Sequence, residues 1–453
     1  DGRVDAIYFT SDHTPPPETT SALEEFKAES LGISSSQEKA GDFDFVVAGG
    51  GIAGITAAIS AARLGLQVAL IHDRPVLGGN NSSEVRVHLG GRIKEEPYPA
   101  LGDVVKEIGP CQGGNAQPGE VYEDEKKLKM VRDEPNISLY KRYHVVDVKM
   151  SGASISEVQA RHLETGQQLV FSAPLFADCT GDGTLGYLAG ADYTIGRESK
   201  HEFDETAAPE EADKMTMGAS VQWNSTVGEK PVDFPDFQYG IEFNDENVEK
   251  VTKGDWNWET GMDMDQIKDC EYIRDYGLLV VYSNWAWLKN YSLFKEEYRN
   301  RKLSWVAAIA GKRESRRLLG DLILTEQDIT ENREYPDASA PTTWTIDLHY
   351  PDPENSELFP GREFKSIAEH MPIYPYPIPY RCLYSRNVEN LFMAGRNISV
   401  THVALGTVRV MRTTGMMGEV IGMAAASASR HNTTPRDVYK NHLAELQSLL
   451  CNG

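Results

Sequence analysis

Cysteine is scarce in this chain: Cys111, Cys179, Cys270, Cys382 and Cys451 are the only five in 453 residues, and no two form a Cys-x-x-Cys pair. That spacing excludes dithiol redox chemistry on a local cysteine pair. It also supplies no disulfide framework, so a reducing compartment is permitted without being required. Positive charge is short as well, with 45 Lys and Arg against 68 Asp and Glu and a formal net charge of −23. Nucleic acid and anionic membrane surfaces are thereby excluded as partners, since both need basic patches. An anionic small molecule would need a local arginine cluster. Long hydrophobic runs are missing: residues 45–62 carry no charge, but they sit at the lower length limit for a membrane span, and three consecutive glycines with Thr56 and Ser60 fit a turn and a buried helix better. No His, Cys, Asp or Glu grouping has metal-ligand spacing, so no metal is expected. There is no internal repeat.

What the chain does contain is Phe45-Val46-Val47-Ala48-Gly49-Gly50-Gly51-Ile52-Ala53-Gly54. A short β-branched strand runs into a glycine turn and then into a small-residue helix. Gly49 permits the tight turn, Gly51 lets a diphosphate approach the backbone, and Gly54 lets helix and strand pack closely. The N–H groups of Ile52 and Ala53 then open a helix N-terminus towards the anion. A second strand follows at residues 67–71, and Asp73 lies just past it, where the acid for a ribose hydroxyl belongs about 20 residues on. His72 occupies the strand end where a glutamate often sits. The turn alone does not separate NAD from FAD.

Further glycine segments bear on that choice. Arg74-Pro75-Val76-Leu77-Gly78-Gly79-Asn80-Asn81-Ser82-Ser83 follows the second strand; Asp178-Cys179-Thr180-Gly181-Asp182-Gly183 ends an apolar strand; Ala394-Gly395-Arg396-Asn397 repeats that design before a helix-like run over residues 407–423. With the segment 311–321 and Ile378-Pro379-Tyr380-Arg381, these pieces resemble the FAD-dependent oxidoreductases of the glutathione reductase-like superfamily, in the branch related to fumarate reductase flavoproteins, and in particular a bacterial FAD-dependent oxidoreductase family. The resemblance spans residues 42–427. It implies an α/β fold: a Rossmann-like FAD-binding domain, its mixed sheet carrying a parallel core, with an inserted α+β substrate domain. It implies cofactor contacts from Arg74, Gly78, Gly79, Asn80, Ser82, Val145, Thr180, Gly181, Gly395, Asn397 and Arg409, with Asp182 near the pyrophosphate or ribityl chain and residues 394–411 approaching the flavin ring. Some relatives attach FAD through a histidine. His88 lies in that neighbourhood without matching the motif, so FAD is expected to be non-covalent. The chain begins at Asp1 rather than methionine, and for a bacterial member the expectation is export, with a cytoplasmic location left open.

The length fits two or three units at roughly 100–200 residues per domain. Residues 1–41, with Pro15-Pro16-Pro17, Ser34-Ser35-Ser36 and a helix at 21–29, form an arm. Residues 42–196 form the first part of the FAD domain, with strands at 139–150 and 155–162. All seven tryptophans fall between Trp223 and Trp344, which marks residues 197–345 as the inserted substrate domain. The FAD domain resumes over 346–430, and a C-terminal helix, predicted over 435–450, occupies 431–453.

A flavin supplies redox chemistry, so the protein must place a substrate and move one proton. His402 and His349 are the candidate proton carriers. Arg313, Arg316 and Arg317, in a helical setting, form a candidate carboxylate clamp, against the alternative of a salt-bridged face with Glu314 and Asp321. Arg409 is a candidate counter-charge for reduced flavin. Trp256-Asn257-Trp258 and Trp285-Ala286-Trp287, if extended, put ring pairs on one side of a strand and open a sugar-binding reading, against the alternative that they build a core. The sequence therefore predicts an FAD-dependent oxidoreductase acting on a small organic substrate, sugar-like or a carboxylate, with an electron acceptor that no pattern encodes. The alternatives are a flavin-bearing non-redox protein and an NAD(P)-dependent dehydrogenase, which leaves the later glycine motifs unexplained.

Overall fold

The computed structural model describes residues 7–33, 37–109, 114–237 and 239–452; the Ser34-Ser35-Ser36 run and Cys111 lie outside them. Helix α1 (Thr20–Leu31) buries none of its residues and leads to β1 (Gln37–Asp42). The apolar strand β2 (Phe45–Ala48) is wholly buried and passes through the glycine turn into α2 (Ile52–Arg63), which carries the chain over to β3 (Val68–His72). Two parallel strands require a crossover of this kind. After β4 (Ile137–Lys141) come β5 (Tyr143–Ser151), β6 (Ser154–His162), β7 (Gln168–Ser172) and β8 (Leu175–Asp178). The strand Leu391–Met393 completes a five-stranded sheet in the order Leu391–Met393, β8, β2, β3, β4, parallel throughout.

The mixed character lies in a second sheet, ordered β1-β7-β6-β5, in which β1 joins β7 in parallel and the other pairs are antiparallel. The period-two alternation of strands sorts the core. Phe45 and Val47 pack on the α2 side of the parallel sheet, whereas Val46 and Ala48 pack against Val145, Val158 and Phe171 of the second sheet. The result is three layers: helices, parallel sheet, second sheet.

A third core gathers Val221, Trp223, Trp258, Trp285 and Leu288 with Phe359 and Phe364, around helix α3 (Cys270–Asn290). Trp223 meets Trp258 and Trp285 edge-on at ring separations of 5.2 and 5.6 Å. Most of the tryptophan composition is therefore spent on packing. The antiparallel pair β9 (Ile346–Pro351) and β10 (Ser366–Met371) follows, then α4 (His402–Val408) and α5 (Met411–His431). Helix α5 lies against α2 with glycine at the contact: a Cβ on Gly418 would sit 2.2 Å from the Ala53 carbonyl oxygen, and one on Gly422 would sit 2.6 Å from that of Ala57.

Several expected elements divide. The strand over 139–150 splits at Arg142, whose φ of 65° turns the chain from the parallel sheet into the second one. The run over 407–423 breaks at Val410, which is extended and separates α4 from α5. The final helix is two, Pro435–Asn441 and Leu443–Asn452. The helix expected around Arg313, Arg316 and Arg317 does not form. Gly311–Lys312 and Arg317–Leu318 are short strands, because their backbones bond to distant partners: Leu318 N–H donates to Asn397 O, and Leu319 N–H to Asp192 O. Trp285 and Trp287 lie on α3, not on a strand, so their rings do not share one face of an extended chain. Among the described residues no helix is long and apolar enough to cross a membrane.

Candidate functional site

A cavity of about 670 Å³ opens at the carboxyl ends of β2, β3 and β8, where parallel α/β sheets bind ligands. Its first wall is the glycine turn. A Cβ on Gly49, at φ 105°, would lie 2.2 Å from the Cys179 carbonyl oxygen, and one on Gly54 would lie 1.7 Å from the Gly49 oxygen. Gly51 differs: an added Cβ meets no atom within 4 Å, and the residue lines the cavity. No side chain caps α2, so its first N–H groups are left for an anion. His72 braces the turn from behind, accepting from Gly50 N–H at Nδ1 (3.0 Å), with Nε2 2.8 Å from the Val76 carbonyl. That pattern needs a neutral ring, and burial holds the His72 pKa below its ordinary value.

Asp73 and Arg74 line the same wall, as do Ile52, Ala53, Gly78, Gly79, Asn80, Val145, Thr180, Gly181 and Gly395. Asp182 is there too, bonded to Ser315 (2.8 Å), Arg396 (2.7 Å) and Lys312. Burial alone would raise its pKa; Lys312 and Arg396 hold the carboxyl well below the usual range. Gly54, Ser82 and Asn397 do not line the cavity. Gly54 serves the helix–strand contact, Ser82 donates to Gly79 O (2.7 Å), and Asn397 donates to Asp178 O (3.2 Å), so the last two shape the loops behind the wall.

The second wall comes from β9, β10, the third core and the α4–α5 junction. Asp347 and His349 alternate on β9 and face the cavity together. His349 Nδ1 is 2.6 Å from Glu259 Oε2, and its Nε2 is 3.3 Å from Asp347 Oδ1. Arg313 lies 3.4 Å from Glu259, Arg409 lies 3.0 Å from Asp347, and Trp344 Nε1 donates to Asp347 at 3.2 Å. Against the raising effect of burial, Arg313 and His349 bring the Glu259 carboxyl down to about 2. Burial is likewise outweighed at Asp347, by His349 and Arg409. Both acids are thus ionised at neutral pH.

The structure separates the other candidates from the cavity. His402 is buried with Nδ1 2.9 Å from Glu314 Oε2, and its Nε2 has no hydrogen-bond partner among the described residues. Arg317 is fully buried between Glu314 and Glu198, the latter at 2.6 Å. Arg316 stacks over Tyr187, 3.8 Å from its ring centroid. The three arginines thus point three ways, and only Arg313 lines the cavity. Sequence reasoning missed Asp347, which the alternation with His349 could have flagged, Lys312 and Arg396, which lie inside the segments 311–321 and 394–411 without being singled out, and Glu259, which nothing local marks. Away from the cavity, the fold also brings His431, His442 and Glu445 within 4.8 Å of one another, a grouping their sequence spacing does not announce; Arg430 already pairs with Glu445.

Comparison with known proteins adds a family. The profile of the FAD dependent oxidoreductase family matches residues 44–450, nearly the whole chain. No curated protein matches the sequence. Among solved structures, a geranylgeranyl bacteriochlorophyll reductase-like protein from Thermoplasma acidophilum is similar at 10% identity, TM-score 0.38, over 92% of this chain and 84% of that one. The flavin-dependent brominase Bmp2 is similar at 12% identity, TM-score 0.38, over 89% and 84%. The myxobacterial chondrochloren halogenase CndH is similar at 16% identity, TM-score 0.26, over 43% and 45%, so the match spans under half the length of that halogenase. On the extent of the profile match, with the glycine turn and its cavity in place, the chain belongs to the FAD dependent oxidoreductase family.

Proposed function

We propose that this chain is a flavoenzyme of the glutathione reductase-like superfamily, in its fumarate reductase-related branch, that moves a hydride between non-covalently held FAD and a small organic substrate, sugar-like or a carboxylate. The observation that carries this reading is one cavity with two chemically different walls. On the glycine-turn wall, Arg74, Lys312 and Arg396 outnumber Asp73 and Asp182, and a helix N-terminus adds partial positive charge. Arg74 Nη1 and Arg396 Nε are buried without hydrogen-bond partners among the described residues. Those features fit a pyrophosphate, and the open cradle at Gly51 fits its close approach. Asp73 would hold the ribose. Thr180, Gly181, Gly395 and Arg409 would border the rest of the cofactor.

When bound, FAD accepts or supplies the hydride. The protein's own task is the accompanying proton, and His349, held between Glu259 and Asp347, would exchange it. His402, Arg316 and Arg317 support the site from outside the cavity through Glu314 and Tyr187. The purified protein should be yellow, and acid precipitation should release the colour to the supernatant. A colourless protein that binds nicotinamide nucleotides overturns the reading. Colour that stays with the precipitate overturns its non-covalent part. Flavin that no sugar, hydroxy acid or amine ever bleaches, and whose reduced form passes electrons to no acceptor, marks a binding protein instead.

A further inference from the structure

We infer that the second wall recognises a neutral polyhydroxylated ring, a sugar or a sugar-like polyol, and rejects carboxylates. The inference rests on the reading of this cavity as a flavoenzyme's substrate site and decides between the two substrate classes left open there.

Charge is the first argument. An anionic substrate needs a guanidinium or ammonium fork that is free to receive it. Arg313 faces Glu259 at 3.4 Å and also donates to Ser220 Oγ at 3.0 Å and to the Trp256 carbonyl. Arg409 spends Nη2 on the Asp347 carboxylate and backbone oxygen, both at 3.0 Å, and its buried Nε has no hydrogen-bond partner among the described residues. Arg274, which also lines the cavity, pairs with Asp275 at 2.7 Å. His349 stands between two carboxylates. Each of these cations faces an acid among the described residues, in a molecule whose net charge is already −23. A carboxylate entering here would meet ionised Asp347, with Glu259 buried behind Arg313 and His349, and the cations beside it already face acids. The glycine-turn wall differs: among the described residues its Arg74 has no ion-paired acid and keeps Nη1 without a hydrogen-bond partner, so the two walls sort an anionic cofactor from a neutral substrate.

The second argument is what remains to bind with. Gln222 and Gln266 line the cavity, are 1% and 2% exposed, and leave Oε1 without a hydrogen-bond partner among the described residues. Unfilled acceptors of this kind suit hydroxyl donors and repel carboxylate oxygens. Trp256 lines the same wall, stays 40% exposed, and holds its ring edge-on to His349 at 5.4 Å. Its three cluster-forming relatives Trp223, Trp258 and Trp285 are all buried. An indole left open beside paired charges and unfilled amides offers an apolar face for the C–H side of a ring whose hydroxyls meet the polar groups.

The test uses the FAD-loaded protein and reads binding, not turnover: tryptophan fluorescence and the flavin difference spectrum are titrated with D-glucose, D-galactose, D-mannose and D-xylose, and in parallel with D-glucuronate, L-lactate and L-malate. At least one neutral sugar should bind saturably and the acids should not. Trp256→Ala should weaken that sugar about tenfold or more with FAD retention unchanged, and Trp256→Phe should restore most of the affinity. Acids binding while neutral sugars do not, or no sugar binding at all, overturns the inference. Either result leaves the flavoenzyme reading standing as long as the protein retains releasable FAD; loss of that reading shows instead as a protein that never carries flavin.

Discussion

Gly51 and Gly54 are three residues apart and do different work. Gly51 faces open space in the cavity, whereas a Cβ on Gly54 runs into the Gly49 carbonyl at 1.7 Å. Gly51→Val should therefore fold, with a normal circular dichroism spectrum and melting curve, and lose FAD, measured as the ratio of flavin to protein absorbance. Gly54→Val should lose stability by more than about 3 kcal/mol and accumulate as insoluble protein. Wild-type flavin occupancy in Gly51→Val would place the cofactor elsewhere. His349 is the corresponding test of chemistry. Its two ring nitrogens are occupied by Glu259 and Asp347, so His349→Gln should leave FAD bound and slow flavin reduction by substrate by about 100-fold, the size of a general acid–base contribution. Stopped-flow reduction under anaerobic conditions gives that rate directly, and an unchanged rate removes His349 from the proton path.

At the scale of elements, the contact between α2 and α5 holds the glycine turn in place. Small residues on both helices let the backbones meet, and Glu419 on α5 extends the contact by accepting from Gly102 N–H (2.8 Å) and Val105 N–H (2.9 Å). Burial nevertheless raises the Glu419 carboxyl from 4.5 to about 7, the two N–H bonds offsetting only part of that effect. The folded chain thus keeps this proton up to about pH 7, while the unfolded chain releases it near 4.5. Between those values the folded state binds more protons, so Glu419 stabilises most at low pH and its contribution fades as pH rises through 7, by about 3 kcal/mol at most. Glu205, buried beside Glu198 and Glu326 and also raised to about 7, acts in the same direction. Urea midpoints measured from pH 5 to 8 should fall with rising pH, and Glu419→Gln should flatten part of that slope. An unchanged slope in the variant would assign the dependence to other groups.

At the scale of the whole molecule, the cavity lies where the parallel sheet meets the second wall, and a cofactor there bridges segments far apart in sequence, from Gly49 to Met411. FAD added to cofactor-free protein at about 100 times its Kd should stabilise the folded chain by about 2.7 kcal/mol and raise the Tm by about 3 °C. Absence of any rise would mean that FAD does not prefer the folded chain.

The glycine turn, its strand and helix, Asp73 and the later glycine segments were legible in the sequence because each depends on neighbours within a few residues: a φ above zero, a close helix–strand approach, an acid at a strand end. Even the neighbourhood of His349 was half-visible, since strand periodicity puts Asp347 on the same side. The fate of the three arginines was not. Their spacing fits a helix face, yet backbone bonds to Asn397 and Asp192 hold the segment extended and send Arg313 to the cavity, Arg316 to Tyr187 and Arg317 into the core. Glu259 meets His349 across 90 residues, a distance no local pattern spans. By itself the sequence determined the strand, glycine turn and helix that form one wall of the cavity, because that turn is backbone chemistry encoded by adjacent glycines. Only the tertiary structure decided which charges remain unspent around the cavity, because pairing between distant side chains is settled when the sheets and helices pack.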